Sequence, residues 1–410
     1  MKKISWKRNL VMLWLSQLAV MSGFSAMIPF IPLFIKSKFG ITENDEIAFY
    51  VSYFNFFGTL AYAVFCPIWG VLADRFGVKP MLLRGTFVTS WMFALMAYVP
   101  SASWLIVLRF FSAACAGTTA ASQVMVARNT PDDKQGFAQG VLTTAIWGGA
   151  MLGYVIGGFI IHYFNYTCAF WLCGILYVLA GVAVLFTQDD FTALPRSGTV
   201  KKVYIKSPVP LIPVFTRSVW ILLMLFGVMG LIRQFEAPYV ALKIEDITGS
   251  GTAAYWTGII SACACAGAVL SGVINGYLSD RLSPLKMLTP LLVISALSLF
   301  MQGFSDSLLS FTVSRTLLYI AAGGIPPVLQ KQLSAVTPKR KRGSVFGFSS
   351  ALQCSGGALA ALAGGWSMML FGLDGVFYTG AALFILSVVF FSSGMKKVFA
   401  MNPQLAQCMH

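Results

Sequence analysis

The sequence predicts an all-α membrane protein with twelve transmembrane helices, arranged as two pseudo-symmetric halves of six helices each. Its composition and an internal repeat both predict this fold class. The 410 residues are 57% hydrophobic and only 10% charged, whereas about a quarter of the residues in a soluble domain are charged. A lipid bilayer suits such a chain, because about 20 apolar residues in a helix cross its hydrocarbon core.

Apolar runs separated by polar breaks locate the twelve helices. The break at residues 188–217 is the longest, and its aspartates, lysines and four prolines predict a cytoplasmic linker. It separates an N-terminal half, residues 1–187, from a C-terminal half, residues 218–393, and residues 394–410 form a cytoplasmic tail. The predicted helices lie near residues 9–35, 49–73, 82–99, 103–127, 136–162, 168–187, 218–242, 252–279, 286–302, 307–334, 343–371 and 375–393.

Lysine and arginine residues are distributed unevenly between alternate loops. Of the 29, 23 lie in segments on the same side as the N-terminus, and only Lys36, Lys38 and Lys243 lie on the other side. Loops rich in positive charge remain in the cytoplasm, so we expect both termini there. The short, scattered basic clusters do not form the single basic face that nucleic-acid binding needs.

A repeat relates the two halves at an offset of 206–207 residues. One offset shared by separate elements indicates a duplicated six-helix unit. Transporters built from parallel repeats place the substrate between the halves, near the middle of the membrane, and expose it to each side by rocking one half against the other. The matched features are Gly70–Arg75 with Gly276–Arg281, Pro32 with Pro238, Arg109 with Arg315, and Gly157-Gly158 with Gly364-Gly365.

The turn between predicted helices 2 and 3 reads Gly70-x-Leu-Ala-Asp74-Arg75-x-Gly77-x-Lys79. Glycine permits a tight turn, and an aspartate can accept hydrogen bonds from a helix N-terminus. This turn resembles the signature loop of the major facilitator superfamily, although Val78 and Pro80 depart from the pattern. The resemblance implies roles in gating for Asp74 and Arg75 and, in the second copy, for Asp280 and Arg281.

Glycines in helix 5 recur at every fourth position and predict close helix packing. The run from Gly149 to Gly158 resembles the antiporter signature of the same superfamily, with Tyr154 in place of a proline. Small residues at these positions allow two helix backbones to approach each other, and this structural role is the simpler interpretation. The glycines expected to pack are Gly149, Gly153, Gly157 and Gly158, with Gly364 and Gly365 in the second half.

The prolines of helix 1, Pro29 and Pro32, resemble the proline pair of the drug:proton antiporter subfamily. Prolines free backbone carbonyls and bend a membrane helix. Over its whole length the chain is similar to MdtG-like multidrug efflux proteins. The resemblance implies a monomer in a bacterial inner (plasma) membrane, with a small-molecule substrate, protons and lipid as its partners and no cofactor.

Four ionisable residues inside predicted spans are candidates for proton coupling or gating: Arg109, Arg233, Glu236 and Arg315. A charge inside the membrane is costly and is by default functional, although Arg109 is close enough to the surface to snorkel. Glu236 is the only acidic residue in any predicted span, and its i, i+3 spacing places it on one helix face with Arg233. Glu236 is therefore a candidate proton carrier, and a buried ion pair that shapes a gate is the alternative.

The substrate cavity is expected to be aromatic and apolar, with scattered amides. By family resemblance, helices 1, 4, 7 and 10 line it. Most aromatic residues of a membrane protein pack between helices or face lipid, so each candidate also has a structural interpretation. The candidates are Phe24, Phe30, Gln123, Met125, Gln234, Tyr239, Gln330 and Gln353.

Three functions remain open at this point. The first is proton-coupled efflux of drugs or other amphipathic molecules. The second is proton-coupled transport of an anionic metabolite, because the three arginines outnumber Glu236. The third, a membrane enzyme or receptor, is remote, because no nucleophile–base pair or phosphate loop is found. Neither the two histidines, His162 and His410, nor the Cys263-x-Cys265 pair provides a metal site.

Overall fold

The computed structural model describes residues 5–131, 134–188, 215–278, 283–337 and 342–402. Within these ranges the secondary structure is helical, and no strand is assigned. Two short 3₁₀ turns, Ile28–Phe30 and Ala237–Tyr239, interrupt longer helices. The α-helices are α1 (Trp6–Met27), α2 (Ile31–Phe39), α3 (Asn44–Phe76), α4 (Val78–Met96), α5 (Ala102–Cys115), α6 (Thr118–Asn129), α7 (Gln135–Tyr163), α8 (Tyr166–Leu185), α9 (Arg217–Gln234), α10 (Val240–Thr248), α11 (Ala253–Leu278), α12 (Pro284–Gly303), α13 (Leu308–Ala322), α14 (Ile325–Val336) and α15 (Arg342–Met401).

Ten helical segments of the described residues are long and apolar enough to cross a membrane. One of them, Val345–Met401, is 57 residues long and contains Gly372 at a φ of 72°, where α15 kinks. It therefore holds two of the predicted spans. The remaining predicted span is α4, whose 19 residues include Lys79 and Arg84 and which is not among the ten apolar segments. The structure thus accommodates the twelve predicted crossings.

Four of these crossings are broken near their middles. Helix 1 divides into α1 and α2 at the turn that contains Pro29, and helix 7 divides into α9 and α10 at the turn that contains Pro238. Helix 4 breaks into α5 and α6, and helix 10 breaks into α13 and α14. The sequence predicted one helix for each crossing, with a bend at the prolines of helix 1. Broken helices in transporters surround the substrate site, so these four breaks mark where a site would lie.

The two 3₁₀ turns correct the alignment of the halves in their first helices. Ile28–Phe30 and Ala237–Tyr239 are 209 residues apart, and each has a proline as its second residue. Pro29 therefore corresponds to Pro238, whereas the sequence repeat had matched Pro238 with Pro32. The offset between the halves is three residues larger here, because the two first helices share the position of the break and its proline.

Four hydrophobic clusters lie among the described residues, and the two largest form most of the interior. One lies in the C-terminal half, and its largest side chains include Phe226, Phe311 and Phe384. The other fills the N-terminal half around Phe34 and extends into the C-terminal half as far as Tyr239. Because the second cluster crosses the boundary, the two halves share a packed interface.

The halves meet along two pairs of helices, α3 with α15 and α7 with α11. The closest backbone approaches lie toward the side of the membrane opposite the N-terminus. There Gly158 of α7 faces Gly258 of α11, and Gly365 of α15 faces Ser52 of α3. We refer to this side as the opposite side. In this conformation the halves are closed against each other there.

Candidate functional site

A cavity of about 220 Å³ lies between the halves, where the four broken helices approach one another. Sites that hold drug-sized ligands usually measure about 300–1,000 Å³. A ligand of that size would therefore require the halves to separate further. The cavity is lined by Phe24, Ile28, Pro29, Pro32, Asn55, Thr59, Arg109, Tyr154, Gln234, Ala237, Pro238, Val240, Ala241, Thr257, Ser261, Arg315, Tyr319, Gly357 and Ala361.

Glu236 and Arg315 form a buried ion pair beside this cavity. The Arg315 Nη1 atom donates to Oε2 of Glu236 at 2.9 Å, and both residues are 3% exposed. The same nitrogen lies 3.2 Å from Oε1 of Gln302, and Nη2 lies 3.4 Å from the hydroxyl of Tyr319. An unpaired charge in such a place would be strongly destabilising. The pair links the break in helix 7 to α13.

Arg233 does not form the ion pair that its spacing from Glu236 predicted. Among the described residues it has no carboxylate within 4.0 Å, and it borders a small cavity of about 30 Å³ with Glu236 and Tyr319. Residues at i and i+3 share a face only on a continuous helix. Here α9 ends at Gln234, and the following turn redirects the Glu236 side chain toward Arg315.

Arg109 is a buried cation held by aromatic rings. It is 8% exposed, and its guanidinium carbon lies 5.2 Å from the ring centre of Phe24 and 5.4 Å from that of Phe54. A Cβ atom at Gly58 would lie 2.5 Å from Nε of Arg109, so glycine there makes room for the guanidinium. Ring faces attract a cation, and no described carboxylate lies within ion-pair distance. Arg109 therefore brings positive charge to the cavity wall.

The eight residues predicted for the cavity are found in three environments. Phe24 and Gln234 line it. Phe30, Met125 and Tyr239 lie in the hydrophobic interior, because the 3₁₀ turns direct Phe30 and Tyr239 away from the cavity and Met125 packs within the N-terminal half. Gln123 and Gln330 are exposed on α6 and α14, and Gln353 is partly buried on α15.

The polar lining residues that the sequence did not reveal come mostly from α3, α11 and α13. Asn55 and Thr59 approach the cavity from α3, Ser261 from α11 and Tyr319 from α13. No local pattern distinguishes them from other polar residues in a span. The prolines of the two 3₁₀ turns, Pro29 and Pro238, were the available sequence signal for the cavity, since both line it.

The predicted packing glycines all lie at close helix contacts. In α7, added Cβ atoms at Gly153 and Gly157 would overlap the carbonyl oxygens of Ser22 and Ala26 in α1, and one at Gly149 would lie 2.5 Å from that of Leu18. An added Cβ at Gly158 would lie 2.7 Å from the carbonyl oxygen of Ala254, across the boundary between the halves. At Gly364 it would lie 2.6 Å from that of Phe235, and at Gly365 it would overlap Ser52.

The Asp–Arg turns are described in the first half only. Asp74 and Arg75 lie in the last turn of α3, and Gly77 joins α3 to α4 at a φ of 97°. That backbone conformation favours glycine. Asp280 and Arg281 lie outside the described residues.

Polar contacts also join the halves at the opposite side. The Lys36 Nζ atom of α2 lies 2.7 Å from Oε2 of Glu245 in α10, and the hydroxyls of Ser52 and Tyr239 are 2.8 Å apart. Both contacts cross the boundary between the halves, so both must break if this side opens. Within the C-terminal half, Lys243 lies 2.6 Å from Oδ1 of Asp374.

Replacing Lys36 by alanine is expected to increase opening at the opposite side about fivefold at most, because a partly exposed ion pair contributes up to about 1 kcal/mol. The measurement is the rate at which a membrane-impermeant thiol reagent, added from that side, modifies an Asn55→Cys side chain in the cavity. Native cysteines are replaced by serine. Lys38→Ala is the matched control, since Lys38 bonds Ala97 within its own half. Equal rates in the two variants would contradict a gating role for Lys36.

Comparison with known families and structures agrees with this architecture. The family model described as Major Facilitator Superfamily matches residues 13–242 and 237–398. Among solved structures, a D-xylose–proton symporter superposes with a TM-score of 0.76 at 14% identity, covering 94% of this chain and 97% of the symporter. At that identity the likeness extends to the fold alone.

Curated relatives match over nearly their whole lengths. The chain is 28% identical to the multi-drug resistance efflux pump PmrA of Streptococcus pneumoniae serotype 4, covering 95% of this chain and 96% of the pump. It is 26% identical to the multidrug resistance protein MdtG of Serratia proteamaculans, covering 95% of this chain and 94% of that protein.

Proposed function

Because the chain belongs to the major facilitator superfamily, we propose that it is a secondary active transporter that exports drugs or other amphipathic small molecules in exchange for protons. The observation that carries the proposal is the buried Glu236–Arg315 pair beside a cavity between two membrane-embedded halves. The relatives named as multidrug efflux proteins support export. The lining combines apolar side chains with polar ones, a mixture that suits amphipathic cargo.

In the proposed mechanism the carboxyl group of Glu236 carries the proton. Protonation neutralises one partner of the pair and weakens its hold on Arg315. Because Glu236 lies on the break of helix 7 and Arg315 on α13, this change loosens contacts between two cavity-lining helices. Substrate and proton would then be exchanged as the halves rock, in line with the repeat architecture.

The distribution of lysine and arginine supports an orientation with both termini in the cytoplasm, and the bacterial relatives support a place in a bacterial inner membrane. In that orientation the opposite side is extracellular, and the structure is an outward-closed state. Exposed Gln123 and Gln330, on repeat-related helices, would face a water-filled vestibule on the cytoplasmic side, because amides inside a membrane protein seldom face lipid. We also propose that residues 188–217 link the halves and that the monomer is the functional unit.

The test is a flux screen in everted membrane vesicles energised to be acidic inside. Lipophilic cations, neutral amphipathic compounds and organic anions are compared, with vesicles that lack the protein as the control. We expect accumulation of lipophilic compounds that collapses when a protonophore is added. Absence of accumulation for every class would overturn the proposal.

A second candidate, proton-coupled transport of an anionic metabolite, rests on the charge of the cavity wall. Its lining includes Arg109 and Arg315 but no carboxylate. An organic anion could displace the Glu236 carboxylate from Arg315 or bind Arg109 directly. In the same screen, preference for organic anions over lipophilic cations would favour this candidate, and preference for cations would exclude it.

A further inference from the structure

Two apolar grooves occupy equivalent places on the outer surfaces of the two halves. One lies between α1, α7 and α8 and has a volume of about 720 Å³. The other lies between α9 and the second span of α15 and has a volume of about 470 Å³. In each half the groove runs between the first and the last helix, on the side away from the central cavity.

The first-helix walls of the two grooves correspond at the offset of 209 that the 3₁₀ turns define, and the last-helix walls correspond at an offset of 211. The α7 wall of the first groove has no counterpart in the second. One groove is therefore the repeat copy of the other, and an occupant that suits one should suit the second. Arg8, Met12, Leu15 and Ala19 of the first groove correspond to Arg217, Ile221, Met224 and Val228 of the second.

Each groove has basic side chains at one end only, on the side of the N-terminus. Arg8 lies beside Phe186 at the end of the first groove, and Arg217 and Lys397 lie at the end of the second. All three basic residues are exposed, and none has an ion-pair partner within the described part of the chain. The remaining lining residues are uncharged and mostly aliphatic or aromatic.

A long apolar channel that ends in an exposed cation at the membrane surface matches the chemistry of a phospholipid with a net negative headgroup. We propose that each groove binds one anionic glycerophospholipid of the surrounding leaflet, with an acyl chain along the apolar walls and the phosphate at Arg8 or at Arg217 and Lys397. Basic residues at the membrane surface attract anionic headgroups at about 1 kcal/mol each. A second copy of the chain that packed through the same grooves is a poorer occupant, because neither groove is lined by a carboxylate that could pair with these cations.

Native mass spectrometry of the full-length protein in detergent tests the proposal, with phosphatidylglycerol compared against phosphatidylcholine. We expect two tightly bound phosphatidylglycerol molecules. Arg8→Gln should weaken one of them about fivefold, and Arg217→Gln with Lys397→Gln should weaken the other about 25-fold. Arg8→Lys should retain binding.

The chain provides matched controls one residue away from each groove. Lys7 and Lys396 are exposed, carry the same charge and lie at the same depth, but they do not line either groove. Lys7→Gln and Lys396→Gln should therefore leave phosphatidylglycerol binding unchanged. The proposal is overturned if Arg8→Gln and Lys7→Gln are indistinguishable, or if phosphatidylcholine binds equally well.

The apolar part of the site is tested separately. Ala183 lines the first groove, and Ala183→Trp would occupy the space of an acyl chain. We expect this variant to lose one bound phosphatidylglycerol and to keep the second. Soluble glycerol phosphate should not compete with the lipid at the same concentration, because it lacks the chain. Retention of both lipids by Ala183→Trp, or full competition by glycerol phosphate, would contradict a lipid site.

Discussion

Proton-driven transport is expected to fall to background when Glu236 is replaced by glutamine. The substitution removes the carboxyl group that is buried beside the cavity at 3% exposure. It also leaves the Arg315 guanidinium buried without a counter-charge, which is expected to destabilise the protein by about 3–5 kcal/mol. Transport is measured in proteoliposomes with an imposed proton gradient, and stability by thermal unfolding in detergent.

A double variant separates the chemical role of the carboxyl group from its structural role. Glu236→Gln with Arg315→Met removes both charges and fills the space with an unbranched apolar side chain. Stability should recover to near that of the parent protein, since replacing a whole buried pair is often neutral. Transport should stay at background if Glu236 carries the proton. Recovery of proton-driven transport in the double variant would assign Glu236 a structural role only.

The second large effect is expected at Gly157, where α7 packs on α1. Gly157→Ala places a methyl group against the carbonyl oxygen of Ala26, which is backbone and cannot rotate away. Overpacking of this kind costs about 1–3 kcal/mol. Ala26 immediately precedes the break in helix 1, so the displacement should also disturb the cavity wall and reduce transport.

The matched control for this substitution is Gly148→Ala on the same helix. A Cβ atom at Gly148 would meet only the Leu18 Cδ1 atom, at 3.8 Å. Because alanine is the better helix former by about 1 kcal/mol, this variant should be neutral or slightly stabilised. Equal thermal stability of the two variants would show that the close approach at Gly157 contributes little.

The fold could be predicted from the sequence because its signals are local and repeated. Apolar runs placed all twelve crossings, and the match of Gly70–Arg75 with Gly276–Arg281 established the duplication. The breaks within helices 4 and 10 were not predicted. Nothing in the apolar pattern changes where α5 meets α6, although Gly117 adopts a φ of 107° there.

The candidate site could be predicted only in part. The depth of Glu236 and Arg315 in their spans drew attention to both residues, but their pairing joins positions 79 apart in the chain. Helical spacing favoured Arg233 instead, and it failed because Pro238 ends the regular helix next to Glu236. With the corrected offset, the counterparts of Arg233 and Glu236 are Phe24 and Met27. Neither ionises, so the acidic partner of the ion pair is found in the second half alone.

Alternating access between the halves is most directly tested by measuring the distance between Thr42 and Ser250. These exposed residues lie in loops at the opposite side, one in each half. Spin labels on Thr42→Cys and Ser250→Cys, in a protein whose native cysteines are replaced, report that distance by double electron–electron resonance spectroscopy. We expect a short distance from the closed state described here and a longer distance from a state that is open on this side. The proportions of the two distances should change when substrate is added or the pH is lowered. A single short distance, unaffected by either, would contradict the account.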